Sequence, residues 1–263
     1  MSEPLPGLRD FESAEEQALA RAVVYRFCGA ALRHPDLASA RAADALLEPL
    51  AAAAAALAPD ASAPLATAAT RVRTAAAALP ADRREARFVA IFGHGVQGDA
   101  PAYECQYGEL DQGVYKGHEL ADIGAFYRAY GLAPRAEVHE RVDHVGLECE
   151  FLAFLAQKEA YAAARGDAAL VADSADTQRK FLADHLARWV PAFAERLADT
   201  GDGYYAAVGG LLRAAVEADC AALDADPGSP RLALRPVDFA PEDCWNCPMA
   251  TSACDPAVPE APG

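Results

Sequence analysis

Arg141-Val142-Asp143-His144-Val145-Gly146-Leu147-Glu148-Cys149-Glu150-Phe151-Leu152-Ala153-Phe154-Leu155 decides the fold. Val138, Val142, Val145, Cys149, Leu152 and Ala156 recur with a period of about 3.6 residues over roughly five turns, and Phe151, Phe154 and Leu155 widen the apolar face. The spacing predicts a long buried helix over 136–165. Outward from it the same texture continues: helices are expected at about 118–131 before it, and at 168–189, 191–199 and 203–225 after it. Near the N-terminus Ser13 and Glu16 form a capping box, and behind it Leu19, Val23, Phe27 and Ala31 repeat every four residues up to His34-Pro35. Alanine-rich helices follow at roughly 36–58 and 61–79, with a shorter one at 82–92 carrying Phe88, Ile91 and Phe92.

Composition agrees. Of 263 residues 66 are Ala, whereas Val, Ile and Thr together number 23 and only two are Ile. The best helix former is abundant and sheet formers are scarce, which excludes sandwiches, barrels and doubly wound sheets. The expectation is an all-α chain: an N-terminal extension over 1–12, one helical-bundle domain over 13–226, and an extended Pro- and Cys-containing tail over 227–263.

The net charge of −16 repels phosphate backbones and argues against a nucleic-acid partner. The acidity is uneven: residues 99–160 hold twelve acids and five bases, whereas 36–98 are balanced. An acidic centre suits a basic partner. The N-terminus has neither a basic nor an apolar secretory region. The apolar run 51–58 is short and closed by Pro59 and Asp60, so no stable membrane insertion is expected. Seven cysteines without an export signal point to reduced thiols or ligands and to a cytoplasmic protein.

Between the helices, 93–117 is broken by Gly95, Gly98, Pro101, Gly108 and Gly113 and carries Tyr103, Tyr107 and Tyr115. Its Tyr103-Glu104-Cys105-Gln106-Tyr107 core has two readings: a recognition surface in which Glu104 pairs with a cation, or a loop pinned to the core by its tyrosines. Asp143, His144 and Glu148 on the long helix could begin a metal site or be a helix-surface pair. The Glu-x-x-His repeats of dinuclear carboxylate bundles are absent. Cys244-Trp245-Asn246-Cys247 with Cys254 offers three thiolates, one short of a zinc or iron–sulfur site; the fourth ligand would be Cys105, Cys220 or a histidine, and a free-thiol tail is the alternative. Searches for dinucleotide, P-loop, nucleophile-elbow and zincin motifs find nothing, which argues against an enzyme.

Arg87-Phe88-Val89-Ala90-Ile91-Phe92, Tyr103-Glu104-Cys105-Gln106-Tyr107-Gly108 and Leu120-Ala121-Asp122-Ile123-Gly124-Ala125-Phe126-Tyr127-Arg128-Ala129-Tyr130-Gly131-Leu132 occur in this order. The long-helix segment quoted above and Phe181-Leu182-Ala183-Asp184-His185-Leu186 with Trp189 and Pro191 come after them. Over roughly 15–225 the chain resembles the TorD/DmsD/NarJ family of all-helical chaperones that mature molybdenum-cofactor oxidoreductases. It is most similar to the branch serving type II dimethyl-sulfoxide-reductase-family enzymes.

The resemblance implies a cytoplasmic, non-catalytic protein needing no cofactor of its own. Its partner would be the molybdopterin-bearing catalytic subunit, held, often by its basic twin-arginine leader, until the cofactor is inserted. Asp143 and His144 match the family's leader-binding pair, with Tyr103–Tyr107 beside them. A dipositive leader with an apolar run wants carboxylates beside an apolar groove. Glu104, Asp122, Asp143 and Glu148 near Tyr103, Tyr107, Tyr127 and Phe151 could supply both. Two rivals stand: recognition of the apo-subunit core instead of the leader, and a metal- or redox-responsive role for Cys244, Cys247 and Cys254.

Overall fold

Aspartate side chains set where several helices begin, by accepting hydrogen bonds from first-turn amides that have no partner within the helix. Asp36 accepts from Ser39 N at 2.6 Å and opens α2 (Leu37–Asp44). Asp167 accepts from Leu170 N at 3.1 Å and opens α8 (Ala168–Phe181). Asp202 takes both Tyr204 N and Tyr205 N, at 3.0 and 2.9 Å, and opens α10 (Gly203–Leu223). The computed structural model describes residues 8–58, 60, 62–93, 98–108, 113–133 and 140–235. The remaining helices are α1 (Leu8–Ala31), α3 (Leu47–Leu57), α4 (Pro64–Ala78), α5 (Arg84–Phe92), α6 (Gly113–Ala129), α7 (Val145–Ala164) and α9 (Ala187–Asp199). Short 3-10 turns lie at Ala81–Arg83 and Glu104–Gln106, and a π-turn at Leu182–Leu186. Among the described residues the only β pairing is two isolated bridges, Tyr103 with His144 and Tyr107 with Leu234. The fold is all-helical, as the alanine content and periodicity require.

The amphipathic α1 packs along α7, α8 flanks α7, and α10 lies against both α9 and α4. Phe27, Leu152, Leu155, Phe181, Leu186, Trp189, Phe193, Leu211 and Leu212 are fully buried in one contiguous core. Each contributes about 1.5–3 kcal/mol of burial free energy, and the many buried alanines between them let helices approach closely. Among the described residues, no helix is long and apolar enough to cross a membrane.

Several expected boundaries shift, each for a local reason. The first helix starts at Leu8, so positions 13 and 16 fall within it and do not mark its start. The expected helix 36–58 divides at Ala45-Leu46, because Pro49 has no amide to continue the hydrogen-bond ladder and sits in the first turn of α3. The long helix begins at Val145 and not at 136. His144 has extended backbone angles (φ −76, ψ 132) and its Nδ1 accepts from Gly146 N at 3.0 Å, so it is the cap and Asp143 lies in the turn before it.

Pro191 does not end a helix. The chain stays helical from 168 to 199 through the π-turn and Pro191. A proline there leaves the carbonyl four residues back without its donor. That carbonyl, on Ala187, accepts instead from Gly228 N at 2.8 Å. The donor belongs to a strap, residues 225–235, that returns from α10 across α9. A Cβ on Gly228 would stand 1.9 Å from the Arg188 carbonyl oxygen, so only glycine allows this approach. Farther on, Gly108 N donates to Ala233 O (2.9 Å) and Arg235 N to Gln106 O (2.7 Å), which ties the strap to the central loop.

Candidate functional site

Residues 102–108 are held by backbone before any side chain acts. Val145 N donates to Ala102 O at 2.8 Å and Glu104 N to Asp143 O at 2.9 Å, so the loop lies beside the turn that opens α7. Asp143 is fully buried and receives Cys105 N at 3.1 Å and the Arg141 guanidinium at 3.0 and 2.7 Å. Tyr103 donates to Glu140 at 2.7 Å, lies under the Arg141 guanidinium and meets the His144 ring edge-on.

Glu104 is also fully buried and faces inward, not toward solvent. Its carboxylate accepts from Arg188 and stands 3.2 Å from His185 Nδ1. Arg188 reaches on to Glu119 at 2.8 Å, and Arg235 from the strap binds Glu119 through two nitrogens at 2.7 and 2.9 Å. Burial works against the Glu119 charge, but hydrogen bonds from Arg235 and Arg188 outweigh it and hold its pKa down to about 2. Behind this network Glu148 accepts from Trp189 Nε1 at 3.3 Å. Burial first, then the neighbouring charges of Glu104 and Asp143, push its carboxyl well above the usual range and favour the protonated form. Trp189, Tyr107 and Phe193 on one side and Phe126, Phe151 and Phe181 on the other surround these groups with aromatic surface. Such low-polarity surroundings strengthen the pairs and raise the cost of breaking one.

The residues singled out from sequence therefore converge, but in different states. Tyr107 donates to Pro101 O at 2.8 Å and Tyr127 to Val142 O at 3.0 Å; both rings, with Phe151, are buried in the core. Of the two readings of the central loop, its own tyrosine Tyr107 pins it. Glu104 and Asp143 already hold arginines of this chain, Glu148 is buried behind them, and Asp143 and His144 are not on the helix face. Asp122 is the exposed carboxylate of the set, 3.3 Å from His185 Nε2. Cys244, Cys247 and Cys254 lie outside the described residues. Among the described residues no cluster of His, Cys, Asp or Glu could hold a metal ion.

Asp122 lines an open cleft of about 470 Å³ between α6 and the π-turn, with His118, Glu119, Ala121, Ala125, Asp184 and His185. Asp184 is exposed at its rim and His185 is buried at its floor. A second, smaller pocket of about 190 Å³ lies where Tyr103, Glu140 and His144 meet His34, Phe88 and Phe92. Sequence reasoning missed Glu119, Asp184, His185, Arg188 and Arg235 as parts of the site. The spacing of His185 and Arg188, three apart on one helical face, was the available signal. The cleft offers the exposed carboxylates of Asp122 and Asp184, and so it suits a cation.

His144 gives a pH test of the turn. Burial lowers its pKa from 6.5 to about 4, against the opposing pull of Glu140 and Asp143. With the folded value depressed, the unfolded chain takes the proton first, so this contribution is complete above about pH 6.5 and is lost as the pH falls toward 4. At about 1.4 kcal/mol per pKa unit the loss approaches about 3 kcal/mol. His144→Asn keeps an acceptor for Gly146 N and removes the titration. The expected result is a smaller drop in Tm between pH 7.5 and pH 5 for the variant than for the wild-type chain; equal drops would refute the assignment.

Comparison with known proteins places these features in a family. Residues 44–195 match the family model described as nitrate reductase delta subunit. The chain is similar to the chaperone protein TorD of Vibrio cholerae serotype O1, 30% identical over 115 residues, or 43% of this chain and 51% of that protein. It is similar to the selenate reductase assembly chaperone protein of Thauera selenatis, 33% identical over 132 residues, covering 44% of this chain and 64% of the relative. The TorD of Photobacterium profundum is 32% identical over 117 residues, with 43% and 51% covered. The chain thus spans about half the length of the TorD relatives it matches. With the match to the family model covering more than half of its residues and the helical architecture in agreement, the chain belongs to the nitrate reductase delta subunit family, the TorD/NarJ family that its motifs resemble.

Proposed function

We propose that this protein is a maturation chaperone and not an enzyme: in the cytoplasm it holds the catalytic subunit of a molybdenum-cofactor oxidoreductase by its basic leader until the cofactor is inserted. The observation that carries the reading is the acidic cleft, where Asp122 and Asp184 stand exposed above buried Glu104 and His185 and the partly buried Arg188–Glu119 pair. A guanidinium can meet a carboxylate through two parallel hydrogen bonds, which an ammonium cannot, so a cleft of this kind discriminates arginine from lysine. The names of the relatives support the partner class, since one is an assembly chaperone for selenate reductase. The type II branch of the dimethyl-sulfoxide-reductase family is the partner group that the Tyr103–Gly108 and Asp122–Ala129 segments favour.

The test is fluorescence anisotropy with a synthetic twin-arginine leader from the molybdoenzyme encoded nearest this gene. Saturable binding, at least about tenfold weaker for a Lys-Lys leader, is expected; each tenfold corresponds to about 1.4 kcal/mol. Capture of the leaderless apo-subunit with no affinity for the leader would favour recognition of the subunit core. Cys244, Cys247 and Cys254 are tested separately by metal analysis. Stoichiometric zinc or iron lost in the triple Cys→Ser variant would give the tail a metal site.

A further inference from the structure

The strap presents to the acidic network the same chemistry that the proposed partner would present. Arg231-Leu232-Ala233-Leu234-Arg235 is a short basic and apolar segment in an otherwise acidic chain. It pairs with the central loop as a strand would: Gly108 N donates to Ala233 O, Arg235 N donates to Gln106 O, and Tyr107 bridges Leu234. Leu232 and Leu234 pack on the core, and the Arg235 guanidinium forks onto Glu119 beside Arg188. Gly108 has φ +147, and a Cβ there would stand 2.6 Å from that guanidinium, so the seat is shaped around an arginine head.

The fit is incomplete. Arg235 is nine-tenths buried, yet its Nε has no hydrogen-bond partner among the described residues, and neither does Nε of Arg188. His185 Nε2, at the floor of the adjoining cleft, lacks one as well, although Asp122 lies 3.3 Å away. Buried polar nitrogens left without partners lower the stability of the strapped form and leave hydrogen bonds for an incoming peptide to make.

We infer that residues 232–235 occupy, in the free chain, the seat of the partner's peptide, which enters by pairing with residues 106–108 and placing its own arginine on Glu119. This rests on the leader-binding reading above and adds to it a mode, strand addition, and a built-in competitor. Arg235 shares Glu119 with Arg188 until a partner arginine takes its place, so the partly buried carboxylate keeps two cations throughout. The apparent affinity is reduced by the fraction of time the strap is seated.

Hydrogen exchange on the full chain, with and without the synthetic twin-arginine leader, tests this directly. On binding, the Arg235 amide loses protection, because Gln106 O passes to the peptide. The Gly108 amide keeps protection, because a peptide carbonyl replaces that of Ala233. Arg235→Gln and Gly228→Ala, the second of which loosens the strap without changing its charge, each raise leader affinity on the order of tenfold. A leader that binds the wild-type chain while Arg235 stays protected, with both variants unchanged in affinity, would overturn the shared seat and leave leader binding intact. Absence of binding in all three chains would overturn the leader reading and the inference with it.

Discussion

Glu104→Ala is expected to destabilise the protein by about 3–5 kcal/mol, the range for removing one partner of a buried charge network. The carboxylate is fully buried, pairs with Arg188 and lies 3.2 Å from His185 Nδ1. Its loss leaves Arg188 only Glu119, which already binds Arg235, and leaves His185 Nδ1 facing a void. A larger cost than at an exposed pair follows from the surroundings of His185: Phe181 and Phe126 exclude the water that would otherwise solvate its orphaned nitrogen, whereas Arg188 keeps partial access to solvent. If charge imbalance is the cause, Glu104→Ala with Arg188→Leu loses less than the two single losses summed, by 0.5–3 kcal/mol, the usual range for residues in contact (about that for coupled pairs generally). Urea unfolding of the four chains measures it. Strict additivity would show that Glu104 acts by packing alone.

The second large effect lies away from the cleft. Arg21 on α1 binds Glu159 on α7 at 3.0 Å, Gln178 on α8, and Asp219 on α10 at 3.1 Å, and Tyr25 donates to the same aspartate at 3.0 Å. One guanidinium thus joins four helices. Burial pushes the Asp219 carboxyl up despite the opposing pull of Arg21. In Arg21→Met that pull is gone and Asp219 is left buried with the Tyr25 hydroxyl as its partner. A loss of about 3 kcal/mol is expected, and a Tm lower by roughly 10 °C for a chain of this size. Arg21→Met with Asp219→Asn should recover part of it, because the amide no longer carries a charge that wants a partner. A double variant as unstable as the sum of the singles would contradict this.

How much of this was legible in the sequence follows from the range of each interaction. Helices are local: the period through Val145, Cys149, Leu152 and Ala156 identified α7, and alanine content excluded sheets. Helix ends were read less well, because they depend on single side chains in particular roles. His144 caps α7 instead of lying on its face, and Pro191 is tolerated because Gly228 supplies the missing donor. The site was half visible. Glu104, Asp143 and Asp122 were named from their chemistry, but their partners are distant in the chain; Glu104 and Arg188 are 84 positions apart. No periodicity links such residues. The same blindness made buried, already paired carboxylates look like free ligands for a cation, and hid the strap, whose residues resembled an extended tail.

The cleft itself is the part most open to contradiction. Leader affinity should be measured by anisotropy for the wild-type chain, for Asp122→Asn with Asp184→Asn, and for Tyr103→Phe, which alters the other pocket beside His144. Binding at least about tenfold weaker in the double aspartate variant, with Tyr103→Phe unchanged, is the expected outcome for a leader held at the exposed carboxylates between α6 and the π-turn. Full affinity in the double variant, with loss in Tyr103→Phe, would place the leader at the turn before α7 and contradict the cleft as its site.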